Sequence, residues 1–109
     1  MKPERPGKRK SKMLEKLAEE ATVDCWTDEE VFGGWACTLE DELPLPMKCH
    51  ILGEEAMLVG VEVDDGGKAV LGRVVKARKK IRVPVQDIEP ADAKTKGLEW
   101  LEAYRHWLR

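Results

Sequence analysis

Residues 57–77 read MLVGVEVDDGGKAVLGRVVKA. Two runs rich in β-branched residues flank Asp64-Asp65-Gly66-Gly67, and Asp and Gly supply the tight and left-handed conformations a hairpin loop needs. Met57–Val63 reads as one strand, with Met57, Val59, Val61 and Val63 on a shared face. Ala69–Ala77 reads as its antiparallel partner. Downstream, a tight turn at Arg78-Lys79 or Lys79-Lys80 leads into a third strand over Lys80–Val85. Pro84 cannot donate to a ladder, so it places that strand at an edge or marks its end. Val85-Gln86-Asp87-Ile88 has the form of a short 3₁₀ turn. Upstream, Met47–Leu52 reads as a further short strand. Short strands joined by tight turns predict a small twisted antiparallel sheet or an SH3-like barrel.

Helices flank these strands, which makes the class α+β. Met13, Leu14, Leu17, Ala18 and Ala21 repeat at helical spacing over 11–21. Thr27-Asp28-Glu29-Glu30 is a capping box, and Val31, Trp35, Leu39 and Leu43 then recur every four residues. That helix ends near Asp41 or Glu42. Gly33-Gly34 interrupts it at about 1 kcal/mol per glycine relative to alanine. The pair therefore implies either the close approach of another backbone or an irregular turn. From Ala93 to Leu108 the stripe Leu98, Leu101, Tyr104, Leu108, widened by Trp100 and Trp107, predicts a last helix that lids the open end of the sheet. Residues 1–10, with Pro3, Pro6, Gly7 and a run of basic side chains, read as a disordered basic tail. Residues 11–109 read as a single domain.

The 109 residues carry a net charge of only −2, yet the charge is segregated. Between Glu19 and Glu42 there are nine carboxylates and no Lys or Arg. Residues 1–16 and 68–82 are basic, with seven Lys or Arg each. These basic blocks either neutralise the acidic block within the molecule or form separate surfaces for separate partners. With 42% hydrophobic and 37% charged residues the chain is globular rather than disordered. No apolar run is long enough to span a membrane, and the basic N-terminus lacks the apolar core of a secretory signal. Three cysteines, an odd number, point away from a disulfide framework and toward a reducing, cytoplasmic setting.

Catalysis has little to stand on. The chain has no nucleophile elbow, no H-E-x-x-H, no phosphate loop and no dinucleotide turn, so it reads as a non-enzyme. Cys25, Cys37, Cys49 and His50 are zinc-ligand types, but no pair has knuckle spacing. Adjacent Cys49 and His50 on one strand point to opposite faces. Asp64-Asp65-Gly66-Gly67 lacks the spacing of an EF-hand loop and is first of all a turn. Glu40-Asp41-Glu42 sits at a helix C-terminus, where the dipole disfavours negative charge, so it invites a compensating cation. Consecutive helical side chains fan out by about 100°, so the three cannot all hold one ion. One or two could, if Glu54-Glu55 or Asp64-Asp65 folds alongside. On residues alone, a solvated acidic helix is the simpler reading. The rival class is a non-catalytic interaction module, with the basic hairpin and N-terminal arm binding nucleic acid or an acidic protein. Against nucleic acid, the aromatic residues fall at predicted core positions or beside helix starts and supply no stacking platform.

From Val31 to the C-terminus the chain resembles the cyanobacterial-type, non-EF-hand calcium-binding family typified by CcbP. The carrying motifs are Trp35 with Leu39-Glu40-Asp41-Glu42-Leu43, then Leu45-Pro46-Met47-Lys48-Cys49. They continue with Arg82-Val83-Pro84-Val85-Gln86-Asp87-Ile88-Glu89 after the hairpin. Asp92, Thr95 and Gly97-Leu98-Glu99-Trp100 follow, running on to Tyr104 and Trp107. The resemblance implies a compact domain closed by helices that binds Ca²⁺ through surface carboxylates. The acids it matches are Glu40, Asp41 and Glu42 at the helix–strand junction and Glu89 and Asp92 before the last helix; Asp64 and Asp65 in the hairpin complete the candidate set. The family tends to keep acids around the hairpin, where this chain has Lys76, Arg78, Lys79 and Lys80. Lacking a sequence-evident cage, the site is expected to be weak, on the order of 10⁻⁵ to 10⁻³ M, and to serve a sensor or buffer.

Overall fold

The hairpin that decides the fold forms as strands β2 (Glu54–Val63) and β3 (Val70–Lys76) in a computed structural model that describes residues 8–109. Asp64 closes the loop between them. Its Oδ1 accepts from the backbone N–H of Lys68 at 2.8 Å and of Ala69 at 3.0 Å. The predicted alternation along β2 is broken. Leu58 pairs with Val74 but Gly60 pairs with Arg73, so Val59 is an extra residue on β2. The bulge turns Val59 out to 42% exposure while Leu58 and Val61 are buried. Met57, Val59, Val61 and Val63 therefore do not share a face.

β3 continues into β4 (Lys79–Pro84) through Ala77 and Arg78, with φ of 49° and 67°. This is the geometry of a two-residue hairpin turn. It lies one residue earlier than the sequence suggests, because neither residue is of the type that normally signals it. β1 (Met47–Ile51) pairs with β2 on the other side, and β5 (Glu89–Pro90) pairs with β1. The order β4-β3-β2-β1-β5 makes an open antiparallel sheet, the first of the two predicted forms; it does not close into a barrel. Pro84 ends the edge strand β4, and the 3₁₀ turn over Val85–Asp87 forms where predicted.

Helix α1 (Lys8–Ala21) starts earlier than predicted. Lys8-Arg9-Lys10 are good helix formers and extend it, so the reading of residues 1–10 as a tail fails at 8–10. Its remainder, residues 1–7, lies outside the described residues. Lys10 of α1 reaches Glu102 at 2.9 Å, not the acidic block. Helix α2 (Asp28–Glu42) is capped as read: Thr27 Oγ1 accepts from Glu30 N at 3.1 Å. Gly34 supplies the predicted close approach, since a Cβ there would run into the Ala21 carbonyl, whereas Gly33 faces open space.

Helix α3 (Leu98–Leu108) is shorter than predicted, because 93–97 form a looped turn. It packs mainly on α1, then on α2 and the 3₁₀ turn, and does not lid the sheet. Trp35 of α2 and Tyr104 of α3 meet edge to face at 5.2 Å, over a core that includes Leu39, Leu58, Val74 and Ile88. Trp107 and Leu108, predicted in the stripe, are 38% and 39% exposed. Arg105 fastens α3 to the 3₁₀ turn and the residue after it, through the carbonyls of Gln86 at 3.1 Å and Ile88 at 2.5 Å. Trp26, beside the start of α2, is 87% exposed. No helix among the described residues is long and apolar enough to cross a membrane.

Candidate metal centre

The end of α2 is built almost entirely from acceptors. Leu39 and Leu43 are buried and fix the helix on the core, which turns Glu40, Asp41 and Glu42 out to solvent. Leu43 N–H closes the last helical bond, to Leu39 O at 3.0 Å. Pro44 and Pro46 have no N–H, so the carbonyls of Glu40 and Glu42 lose their i+4 donors. The one amide between the prolines, Leu45 N, bonds to Leu43 O at 2.8 Å instead of Asp41 O. Three carboxylates and three carbonyls without a donor among the described residues thus share one turn, at the negative pole of the helix dipole.

A second segment abuts this turn. Asp92 Oδ1 accepts from Lys94 N at 2.8 Å, and Asp92 O accepts from Thr95 N at 3.1 Å. This turn leads to Gly97, which stands in the left-handed region at φ 84°. Gly97 lies so close to the Glu42 carbonyl that a Cβ would collide with it, so only glycine satisfies both the conformation and the contact. The loop that carries Asp92 therefore meets the end of α2.

The remaining candidates lie elsewhere. A Cβ on Gly67 would stand 2.6 Å from Glu29 Cγ, which places the Asp64-Asp65 turn at the opposite, N-terminal end of α2. A 15-residue helix separates the two ends by about 20 Å. Asp64-Asp65 thus does not fold alongside Glu40–Glu42, and Glu54 is tied to Lys76 instead. Glu89 Oε1 stands 3.7 Å from the Arg105 guanidinium. Among the described residues, no three carboxylate, His or Cys side chains converge as they would around a metal. Cys25, Cys37 and Cys49 are free thiols, in the α1–α2 connection, on α2 and on β1 respectively. Burial raises the Cys49 thiol above its ordinary value.

Basic side chains do enter the acidic surface, from the sheet. Arg73 of β3 stands 3.5 Å from Glu40 and 3.5 Å from Glu62, and Arg82 of β4 stands 3.5 Å from Glu62. Sequence reasoning missed this contact and the proline-stripped carbonyls. The carbonyls were legible in Pro44 and Pro46. The Arg73–Glu40 contact bridges 33 positions and left no local signal.

An open antiparallel sheet with α2 packed on it, and α1 and α3 packed beside α2, makes a small α+β domain with an acidic, carbonyl-rich helix end on its surface. The chain belongs to the CcbP calcium-binding family, whose model, described as "Calcium binding", matches residues 15–108. Its fold is that of the Anabaena CcbP crystal structure, with a TM-score of 0.74 at 22% identity over 99% of this chain and 95% of that one. A structure described as a calcium binding protein in the calcium-binding form superposes with a TM-score of 0.75 at 22% identity, over 89% of this chain and 90% of the other. No curated protein matches the chain by sequence.

Proposed function

We propose that this domain binds Ca²⁺ weakly at the junction of α2 and β1, through Glu40, Asp41 and Glu42 and the carbonyls beside them, with Asp92 supplied by the abutting loop. The observation that carries this reading is the helix that ends on three acids with its carbonyl donors removed by Pro44 and Pro46, in a chain of a calcium-binding family. Ca²⁺ takes carboxylate and carbonyl oxygens in irregular geometry, so a turn of this kind suits it better than Mg²⁺, which demands near-octahedral ligands. Because the side chains are spread, ligands must be drawn together at the expense of binding energy. That supports an affinity on the order of 10⁻⁵ to 10⁻³ M.

Asp64 and Asp65, beside Glu29, form a separate and poorer candidate, since one Asp64 oxygen is already committed to the turn. Glu89 is a peripheral candidate held back by Arg105. Three free thiols support a reducing, cytoplasmic setting. The ligands lie at the end of a helix anchored in the core, which favours a buffer that changes little over a sensor. A ¹H–¹⁵N spectrum titrated with CaCl₂, against a MgCl₂ control, tests the reading. Saturable shifts are expected at residues 40–43 and 92–97. If millimolar Ca²⁺ moves none of these saturably, the assignment is wrong. Shifts spreading through β2 and β3 would instead indicate a sensor.

One observation supports the second reading, a non-catalytic module for nucleic acid or an acidic protein. Arg73, Lys80 and Arg82, with Val59 and Ile81, line an open groove of about 380 Å³ on the sheet. Glu62 also lines it and offsets part of the positive charge. A low-salt mobility shift that disappears on reversing Lys79 and Lys80 would favour binding there, and no shift would dismiss it.

A further inference from the structure

We propose that Arg73 is an internal cation that competes with Ca²⁺ for Glu40 and thereby sets the calcium affinity of the α2–β1 junction; the inference rests on the calcium reading above. Arg73 belongs to β3, whereas α2 packs mainly over β2, so the guanidinium must cross β2 to reach Glu40. Gly60 opens that path. It is the residue paired with Arg73 across the ladder, and any Cβ on it would collide with the guanidinium. The side chain lies over this gap with one nitrogen 3.5 Å from Glu40 Oε1 and another 3.5 Å from Glu62 Oε1.

The arrangement provides for exchange. Arg73 stands between two carboxylates, so it keeps Glu62 when a metal claims Glu40. Glu62 in turn has a second cation, Arg82, at 3.5 Å from its other oxygen. Moving Arg73 wholly onto Glu62 therefore leaves no charge stranded. The Arg73 and Glu40 side chains are 51% and 46% exposed, and ion pairs this exposed are weak. A cation of modest affinity can displace one. The guanidinium also repels Ca²⁺ directly, since it shares the metal's sign at close range.

The test is a calcium titration of the full chain by calorimetry, comparing wild type with Arg73→Gln, Arg82→Gln, Glu40→Gln and the Arg73→Gln/Glu40→Gln double variant. Arg73→Gln is expected to tighten Ca²⁺ about three- to tenfold, with less effect as salt rises. Arg82→Gln removes the same charge without touching Glu40 and is expected to change affinity by less than about twofold. Glu40→Gln weakens binding, and in its background Arg73→Gln loses most of its effect. If Glu40→Gln leaves affinity unchanged, the calcium reading of this position fails and the competition fails with it. If Glu40→Gln weakens binding but Arg73→Gln does not tighten it, only the competition is overturned. The same holds if Arg82→Gln tightens it equally. Should Arg73→Gln not fold, the wild-type Arg73 Nε–H resonance decides: it is expected to shift with the midpoint of the Glu40 amide, and a static resonance refutes displacement.

Discussion

Gly33 and Gly34 are adjacent in the middle of one helix, yet alanine at the two positions should have opposite effects. Both substitutions gain the same intrinsic helix preference, about 1 kcal/mol. At Gly33 nothing lies within 4 Å of the added Cβ, so the gain stands and the protein is stabilised by roughly 0.5–1 kcal/mol. At Gly34 the Cβ meets the Ala21 carbonyl, and Cys25 Sγ lies 3.2 Å away. The carbonyl is backbone and belongs to the end of α1, so it yields only if the α1–α2 connection moves. Overpacking of this kind costs about 1–3 kcal/mol, which outweighs the helix gain and leaves a net loss of up to about 2 kcal/mol. The two variants should thus differ by roughly 1–3 kcal/mol. Urea unfolding followed by tryptophan fluorescence measures this as a shift in midpoint at constant slope. Equal shifts of the same sign would show that Gly34 does not hold α1 against α2, and the reason given for tolerating glycine there would be wrong.

Arg105→Ala removes the donors for the Gln86 and Ile88 carbonyls and should destabilise by roughly 2–3 kcal/mol, with Arg105→Lys recovering less than half because an ammonium cannot span both acceptors; chemical denaturation of the two variants checks it. Tyr104 gives a pH signature. Burial raises its phenol above the usual 10.0, outweighing the opposing hydrogen bond with the Val70 backbone. The folded state therefore holds its proton more tightly than the unfolded one, so this contribution is complete below pH 10 and is lost as pH rises toward the folded value. Stability measured from pH 8 to 11 should fall more steeply in wild type than in Tyr104→Phe, and parallel curves would refute the assignment.

How much of this was legible in the sequence depends on whether the signal was local. The Asp64–Gly67 loop, the Thr27 cap, the edge proline and the 3₁₀ turn were readable because each is decided by residues within a few positions. The Val59 bulge was not, since it reflects how β2 must shift to meet β3, and nothing in Leu58-Val59-Gly60 singles out the extra residue. The turn at Ala77-Arg78 carried no glycine or asparagine to announce it. For the site, the helix end and its acids were readable. Their neighbours were not: the Gly97 loop and Arg73 reach α2 from far along the chain.

The same distinction explains why the nine carboxylates of residues 19–42 are not equivalent. Asp28, Glu29 and Glu30 occupy the first turn of α2, where the dipole and the open N–H groups stabilise negative charge, so they have no need of a metal. Glu40, Asp41 and Glu42 stand at the opposite pole, where no basic residue occupies the last turn and two prolines have removed the amides that would have dispersed the carbonyl charge. Among the described residues, the cation that pairs with these acids comes from outside the helix, Arg73, at a distance and exposure that make the pair weak. On the proposed calcium reading, a helix end this short of positive charge is where a divalent cation gains most from binding, and the strength of the arginine's hold would decide how much of that gain the metal keeps.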